Sequence, residues 1–153
     1  MNIEILAVGD ELLLGLTIDT NGAWLARELA ADGVRVTRRV SVGDDATRIA
    51  DAVRDALDRT GALITTGGLG PTADDLTCPT IAGLFGRELV FDAAQWERLR
   101  QLWRERGRPG ELPESNRKQV MIPAGARVLG NNHGTAPGIF LEDERGRWVA
   151  MLP

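Results

Sequence analysis

Residues 62–75 read ALITTGGLGPTADD, a short apolar run followed by a glycine-rich loop. The run Ala62–Thr66 is typical of a buried strand in a parallel sheet. Gly67, Gly68 and Gly70 then allow the backbone to turn tightly and to bring its N–H groups close to a phosphate. A helix that begins shortly after the loop would add a favourable dipole. The stretch therefore predicts a phosphate-binding loop or, in the simpler alternative, a tight turn.

Two further pairs of strand and helix precede this stretch. Residues 3–8 form an apolar run that stops at Gly9, and apolar positions alternate with polar ones over residues 34–42. Residues 21–31 and 49–57 place apolar side chains at helical spacing. The order strand, helix, strand, helix, strand implies right-handed crossovers, which produce a parallel sheet with helices on both faces. We therefore expect an α/β fold with three layers, α/β/α, around a mostly parallel sheet.

The second half of the chain predicts two helices and a hairpin. A short helix is expected within residues 76–85, and a longer one begins after Asp92 and ends before Gly107. Residues 138–141 and 147–151 flank a charged turn, which is typical of an antiparallel hairpin. The length of 153 residues favours one domain. Because the chain ends on an apolar strand, we expect this domain, residues 1–153, to be truncated at its carboxy end.

Composition excludes several classes of protein. The net charge of −4 argues against duplex nucleic acid as a partner. The chain has one cysteine, Cys78, and one histidine, His133, which excludes an internal disulfide and a zinc site built from these residue types. Cys78 resembles a structural thiol, and His133 has no nucleophile near it in sequence. No segment approaches the roughly 18 apolar residues of a membrane span. We expect a cytoplasmic protein with no nucleic-acid or membrane partner.

Carboxylates follow the first two predicted strands, at the edge of the sheet where ligands bind in parallel α/β folds. Asp10 and Glu11 could coordinate a hard cation or a ligand, or they could cap a helix. Either Asp44 or Asp45 can cap the second helix, which leaves the other carboxylate unexplained by capping. Opposite a phosphate-binding loop, these side chains favour metal-assisted phosphoryl chemistry. The chain lacks the Gly-Lys-Ser/Thr of a nucleoside triphosphate P-loop and the GxGxxG spacing of a dinucleotide site.

Two polar clusters interrupt apolar sequence near the carboxyl end. They read Asn-Arg-Lys-Gln at 116–119 and Asn-Asn-His-Gly-Thr-Ala-Pro-Gly at 131–138. The basic pair of the first cluster, Arg117 and Lys118, would suit an anionic ligand, although basic residues beside a loop are often only solvated.

Together these motifs resemble the amino-terminal domain of the CinA family (competence/damage-inducible protein A), which is similar to the MoaB/MogA molybdopterin-binding fold. Five stretches carry the resemblance, and they are Gly9–Gly15 with Thr20-Asn21, Val42–Asp45, Thr65–Thr77, Asn116–Gln119 and Gly134–Gly138. The resemblance covers nearly the whole chain. It implies a nucleotide pyrophosphatase that hydrolyses ADP-ribose, or a related nucleotide, to AMP and ribose 5-phosphate. Its expected cofactors are a divalent metal, cobalt or magnesium, and also potassium.

The resemblance also implies roles for individual residues. Asp44 and Asp75 would be the catalytic residues and the metal ligands. The implied ligand- and phosphate-binding residues are Gly9, Asp10, Glu11, Asn21, Gly67, Gly68, Leu69, Gly70, Pro71, Thr72, Asp74, Asn116, Lys118, Gly134, Thr135, Pro137 and Gly138. In this mechanism the glycine amides hold the pyrophosphate, the cation screens its charge, and one carboxylate positions water.

Two other classes of function stay open. The same pocket could hold molybdopterin or its adenylylated form without turnover, and such a module needs no metal. An assembly domain with a vestigial pocket is the third alternative, in which the helix that carries Trp96 and Trp103 is core or a subunit contact. The resemblance implies a homo-oligomer, a dimer or trimer, whose ligand is a small nucleotide or pterin.

Overall fold

The computed structural model describes residues 1–153 as a six-stranded sheet with helices on both faces and a separate two-stranded ribbon. In chain order the elements are β1 (Asn2–Val8), α1 (Asp10–Leu13), α2 (Thr20–Ala31), β2 (Arg35–Val42), α3 (Ala46–Thr60), β3 (Ala62–Thr66), α4 (Thr77–Leu84), β4 (Leu89–Phe91), α5 (Ala93–Glu105), a 3-10 helix (Glu114–Val120), β5 (Met121–Pro123), β6 (Arg127–Leu129), β7 (Gly138–Glu142) and β8 (Trp148–Leu152). None of these helices combines the length and the apolar character needed to cross a membrane.

The large sheet has the strand order β2-β1-β3-β8-β7-β6. Its first four strands run parallel, and β8, β7 and β6 pair antiparallel. The predicted α/β/α fold with a mostly parallel sheet and a carboxy-terminal hairpin is therefore confirmed. Parallel pairing brings the ends of β2, β1, β3 and β8 to one side of the sheet, which we call the carboxyl edge.

Two apolar cores lie on the two faces of the sheet. The larger core joins α3 and α4 to the sheet, and it includes Val53 of α3 and Ile81 of α4, both fully buried. On the opposite face, Leu25 and Leu29 of α2 pack against a smaller cluster around Ile3. Helices thus cover both faces, as the alternation of strands and helices predicts.

Helix α5 has a core of its own. Leu99 of α5 is buried with Leu112 and Val120, and Trp96 and Trp103 pack against this cluster. Of the two roles that the sequence left open for these tryptophans, core packing is the one that this cluster explains.

Aspartates begin the three longer helices. Asp45 caps α3, because its Oδ1 accepts the backbone N–H of Arg48 at 2.8 Å, so Asp44 is the carboxylate without a capping role. Asp92 caps α5 in the same way. Helix α2 begins at Thr20, one residue earlier than predicted, because Asp19 is its cap.

The short elements were not predicted. Strands β4, β5 and β6 have three residues each, too few for an alternating pattern to be recognised. Helix α1 has four residues, and the 3-10 helix lies in a cluster that was interpreted only for its polar side chains.

An ion pair between a buried carboxylate and a partly exposed arginine joins β1 to α3. Glu4 of β1 is 4% exposed, and Arg59 of α3 donates to both of its carboxylate oxygens, at 2.7 and 2.8 Å. Asp55, which precedes Arg59 by one turn of α3, is farther away, at 3.8 Å. The two-point contact with Glu4 therefore fixes the position of Arg59 against the sheet.

Removing one partner of this pair should cost more stability than replacing both. Arg59→Met leaves a buried carboxylate without its partner, whereas the double variant Glu4→Met/Arg59→Met replaces the pair with apolar side chains. We expect the single variant to unfold at lower urea concentration than the double variant, as measured by tryptophan fluorescence. A double variant less stable than Arg59→Met would contradict this account of the pair.

Candidate functional site

The first two loops of the carboxyl edge are bound to each other. The N–H of Gly9 donates to the carbonyl of Val42 at 3.0 Å. The Asp10 N–H donates to Asp44 Oδ2 at 3.0 Å, and the Asp44 N–H donates to Asp10 Oδ1 at 3.1 Å. Each carboxylate thus satisfies the backbone of the other loop, which holds the ends of β1 and β2 in register.

The glycine-rich loop is fixed by close backbone contacts. Gly67 has a φ of 89°, and a Cβ atom at this position would lie 2.3 Å from the carbonyl oxygen of Val8. Its N–H donates to the Leu152 carbonyl at 3.0 Å, and its own carbonyl accepts from Thr77 Oγ1 at 3.0 Å. Gly68 is also left-handed, and a Cβ there would overlap Thr77 Oγ1. These contacts place the loop directly beyond the end of β3, with no room for larger residues.

Asp75 closes the same loop as an ionised carboxylate. Its Oδ2 accepts the Thr72 backbone N–H at 2.8 Å and the Thr72 hydroxyl at 2.6 Å. Partial burial acts to raise the pKa of Asp75, but the bonds from Thr72 and Gly70 and the charge of Lys118 outweigh it, so that the pKa lies below its usual value. The loop therefore carries a negative charge at neutral pH.

Lys118 crosses from the 3-10 helix to this loop. Its Nζ donates to the carbonyl oxygens of Thr72 and Ala73. Between the lysine and the loop lies a cavity of about 100 Å³. The cavity is lined by Gly68, Leu69, Gly70, Asp75, Cys78, Pro79, Leu89, Lys118, Gln119, Met121, Pro137 and Ile139. Glycine-loop residues, one cation and apolar walls thus meet at the place that the glycine motif predicts.

The second polar cluster reaches the cavity through a chain of side chains. Asn116 Nδ2 donates to Gln119 Oε1 at 2.9 Å, and Gln119 Nε2 donates to Thr135 Oγ1 at 3.1 Å. Asn116 is itself buried and does not line the cavity, so it braces the site. Pro137 forms part of the cavity wall, and Gly138 begins β7.

The structure gives the two expected catalytic carboxylates different hydrogen-bond partners. Asp44 is bonded to the loop after β1, and Asp75 to its own loop through Thr72. No group of three or more His, Cys, Asp or Glu side chains is arranged to hold a metal ion. The metal ligands implied by the resemblance stay a prediction.

Several predicted ligand residues lie outside the cavity wall. Asn21 is exposed in the first turn of α2, and Glu11 is exposed in α1. Asp74 is exposed within the loop, and Pro71 and Thr72 do not line the cavity. The remaining members of the set, Gly9, Asp10 and Gly134, act in the backbone contacts of their loops.

The sequence prediction missed part of the wall. Gln119 belongs to the polar cluster at 116–119 but was not chosen, and its position one residue after Lys118 is the signal that could have identified it. Cys78 also lines the cavity. Burial raises the pKa of its thiol to about 12, against a smaller opposite effect of Lys118, so the thiol stays protonated at neutral pH. This agrees with a structural role for Cys78.

A larger cleft of about 640 Å³ lies at the opposite side of the sheet, beside the amino end of β8 and the last turns of α3. Several arginines line the cleft, and one of them, Arg147, forms ion pairs with Asp143 at 2.8 Å and with Asp58 at 3.3 Å. No predicted motif reaches this cleft, and parallel α/β folds bind ligands at the carboxyl ends of strands. The smaller cavity is therefore the candidate site.

The fold and the glycine-loop cavity define a class of protein. The family model described as "Probable molybdopterin binding domain" matches residues 4–153. The molybdopterin biosynthesis enzyme MoaB from Thermus thermophilus has the same fold, with a TM-score of 0.62 at 22% identity over 99% of this chain and 80% of that chain. The chain is therefore a domain of the molybdopterin-binding class.

Within this class, the chain belongs to the CinA family. The structure of CinA, a protein of unknown function from Thermoplasma acidophilum, matches with a TM-score of 0.89 and 33% identity, over 100% of this chain and 88% of that one. A CinA-like protein from Gemmatimonas aurantiaca is 64% identical over all 153 residues, which are 36% of its length. The chain thus spans about a third of the curated relatives that it matches.

Gly67→Ala should lower the free energy of unfolding by more than the cost of a left-handed backbone alone. Gly33 serves as the control, since its φ is 75° and a Cβ there meets nothing within 4 Å. We expect Gly33→Ala to lose about 1–2 kcal/mol of unfolding free energy, and Gly67→Ala to lose clearly more because the methyl overlaps a backbone carbonyl. Urea titration of both variants measures the difference. Equal losses would mean that the Val8 contact does not constrain the loop.

Proposed function

We propose that this domain binds a phosphate-bearing pterin of the molybdopterin class at the cavity beside the glycine loop. The observation that carries the proposal is the meeting of glycine-loop residues, Lys118 and an apolar wall in one cavity at the carboxyl edge. Membership of the molybdopterin-binding class supports the same ligand.

The glycine loop and Lys118 supply the donors for a phosphate. Glycine amides beyond a parallel strand can donate to phosphate oxygens, and an ammonium adds a charge-assisted bond. Lys118 is bonded to the Thr72 and Ala73 carbonyls, so binding requires it to exchange these neutral acceptors for an anion. A charged acceptor is the stronger partner, which favours the exchange.

The apolar wall suits a flat ring. Met121 and Ile139 contribute apolar side chains, and Gln119 offers an amide for orientation. The cavity of about 100 Å³ is smaller than the roughly 300–1,000 Å³ that is usual for a small-molecule pocket. We therefore assign only one end of the ligand to this cavity, and the rest of the ligand extends along the carboxyl edge of the sheet.

Replacing Lys118 tests the proposal. We expect Lys118→Met to weaken molybdopterin binding by about ten- to hundredfold, the loss of one bond between charged groups. Anaerobic fluorescence titration measures the affinity. Arg117→Met is the matched control, because Arg117 is exposed and lies over the Phe91 ring at 4.2 Å. Equal affinity of Lys118→Met and the wild type would overturn the proposal, as would a wild type that binds no molybdopterin.

Hydrolysis of ADP-ribose is the second candidate function, and the charge of Asp75 is the observation that favours it. A carboxylate in the wall repels a phosphate, and beyond its structural bonds to Thr72 it could orient water in a hydrolase. The side chains as placed do not form a metal site. Cobalt, magnesium and potassium, turnover itself and assembly into a dimer or trimer all stay predictions.

Product analysis separates the two candidates. If the domain is a hydrolase, ADP-ribose incubated with it and cobalt or magnesium should yield AMP and ribose 5-phosphate. Asp75→Asn should then yield none, because the amide keeps an oxygen for Thr72 but loses the charge. Chromatography detects AMP. Absence of AMP with the wild type, or full activity of Asp75→Asn, would contradict the hydrolytic candidate.

A further inference from the structure

The segment 131–137, which lies between β6 and β7, contributes one residue to the wall of the cavity. Its Pro137 lines the cavity, and its Thr135 hydroxyl accepts from Gln119, which is also a lining residue. The segment has no regular secondary structure. Its position must therefore be set by side-chain contacts.

Asn131 organises this segment from within. Its Oδ1 accepts the backbone N–H groups of His133 at 2.9 Å and of Gly134 at 3.1 Å. Its Nδ2 donates to the carbonyl of Ala136 at 2.8 Å. These bonds define the shape of the segment, but they do not attach it to the rest of the protein.

Besides the Gln119–Thr135 bond and the burial of Ala136 in the larger core, two arginines attach the segment to α5. Arg98 Nη2 donates to the Asn131 carbonyl, and Arg106 Nη2 donates to the His133 carbonyl at 3.2 Å. Both acceptors are backbone oxygens of the segment. Helix α5 is in turn anchored by its own buried Leu99. The segment is thus tied to a helix whose core lies apart from the main sheet.

Arg98 has no other role that its contacts explain. The Asn131 carbonyl is its hydrogen-bond acceptor, and its second terminal nitrogen, Nη1, is buried without a partner. Burying a guanidinium without a carboxylate is costly. Neighbouring arginines on α5 differ, since Arg100 and Arg104 both face Glu97 on the helix surface.

We propose that Arg98 is a positioning residue of the candidate site. It holds the Asn131 carbonyl, and through the bonds of Asn131 it fixes the segment that places Pro137 in the cavity wall and Thr135 against Gln119. Its relevance to binding rests on the proposed function, whereas its action on the segment does not.

The test compares Arg98→Met, Arg98→Lys and the control Arg100→Met. Amide hydrogen exchange at His133 and Gly134 reports the order of the segment, and molybdopterin titration reports the site. We expect Arg98→Met to raise both the exchange rates and the dissociation constant about tenfold, with an unchanged urea midpoint. Arg98→Lys should restore much of both, because one ammonium can still donate to the Asn131 carbonyl. Arg100→Met should change neither.

Unchanged exchange at His133 and Gly134 in Arg98→Met would overturn the proposal, and so would an equal rise across α5, which would indicate general destabilisation. If Arg98→Met does not fold, Arg98→Gln takes its place, and wild-type exchange at His133 and Gly134 in that variant would overturn the proposal. A wild type that binds no molybdopterin would instead refute the proposed function, while the exchange measurements would still decide the role of Arg98.

Discussion

The backbone contact between Gly67 and the carbonyl of Val8 is the constraint on which the candidate site depends. Residue 67 has no side chain, so the chain can pass close to β1 after β3, whereas a Cβ at this position would lie 2.3 Å from the Val8 carbonyl oxygen. The same residue donates to Leu152 at the end of β8 and accepts from Thr77 at the start of α4. One position therefore joins three strands and a helix, and the loop amides project beyond the sheet because of it.

The charged side chains of the carboxyl edge favour an anionic ligand only beside the third loop, where Lys118 lies. Asp10 and Asp44 are used by the backbones of the first two loops. Asp75 stays ionised within the third loop, and Lys118 compensates it from the 3-10 helix. The lysine is the group that can change partners without breaking the fold, because it is bonded to loop carbonyls rather than to a carboxylate.

Long elements and the glycine loop could be predicted from the sequence, because periodicity and backbone freedom are local properties. The alternation that leads to β3 and the stop at Gly9 identified the parallel sheet correctly. The partners of Asp44 and Asp75 could not be predicted, since they depend on how loops distant in sequence meet. The contact of Arg98 with the Asn131 carbonyl could not be predicted either. An arginine on an amphipathic helix ordinarily faces solvent, and this acceptor lies 33 residues away in the sequence.

The central claim is that a phosphate group binds the glycine loop and takes Lys118 from its carbonyl partners. A crystal structure of the domain with bound molybdopterin tests it most directly. We expect the phosphate against the amides of Gly68 and Leu69, which line the cavity, with Lys118 Nζ moved from the Thr72 carbonyl to a phosphate oxygen. A ligand bound in the arginine-lined cleft beside β8, or a ligand in the cavity with Lys118 still on the Thr72 carbonyl, would contradict it.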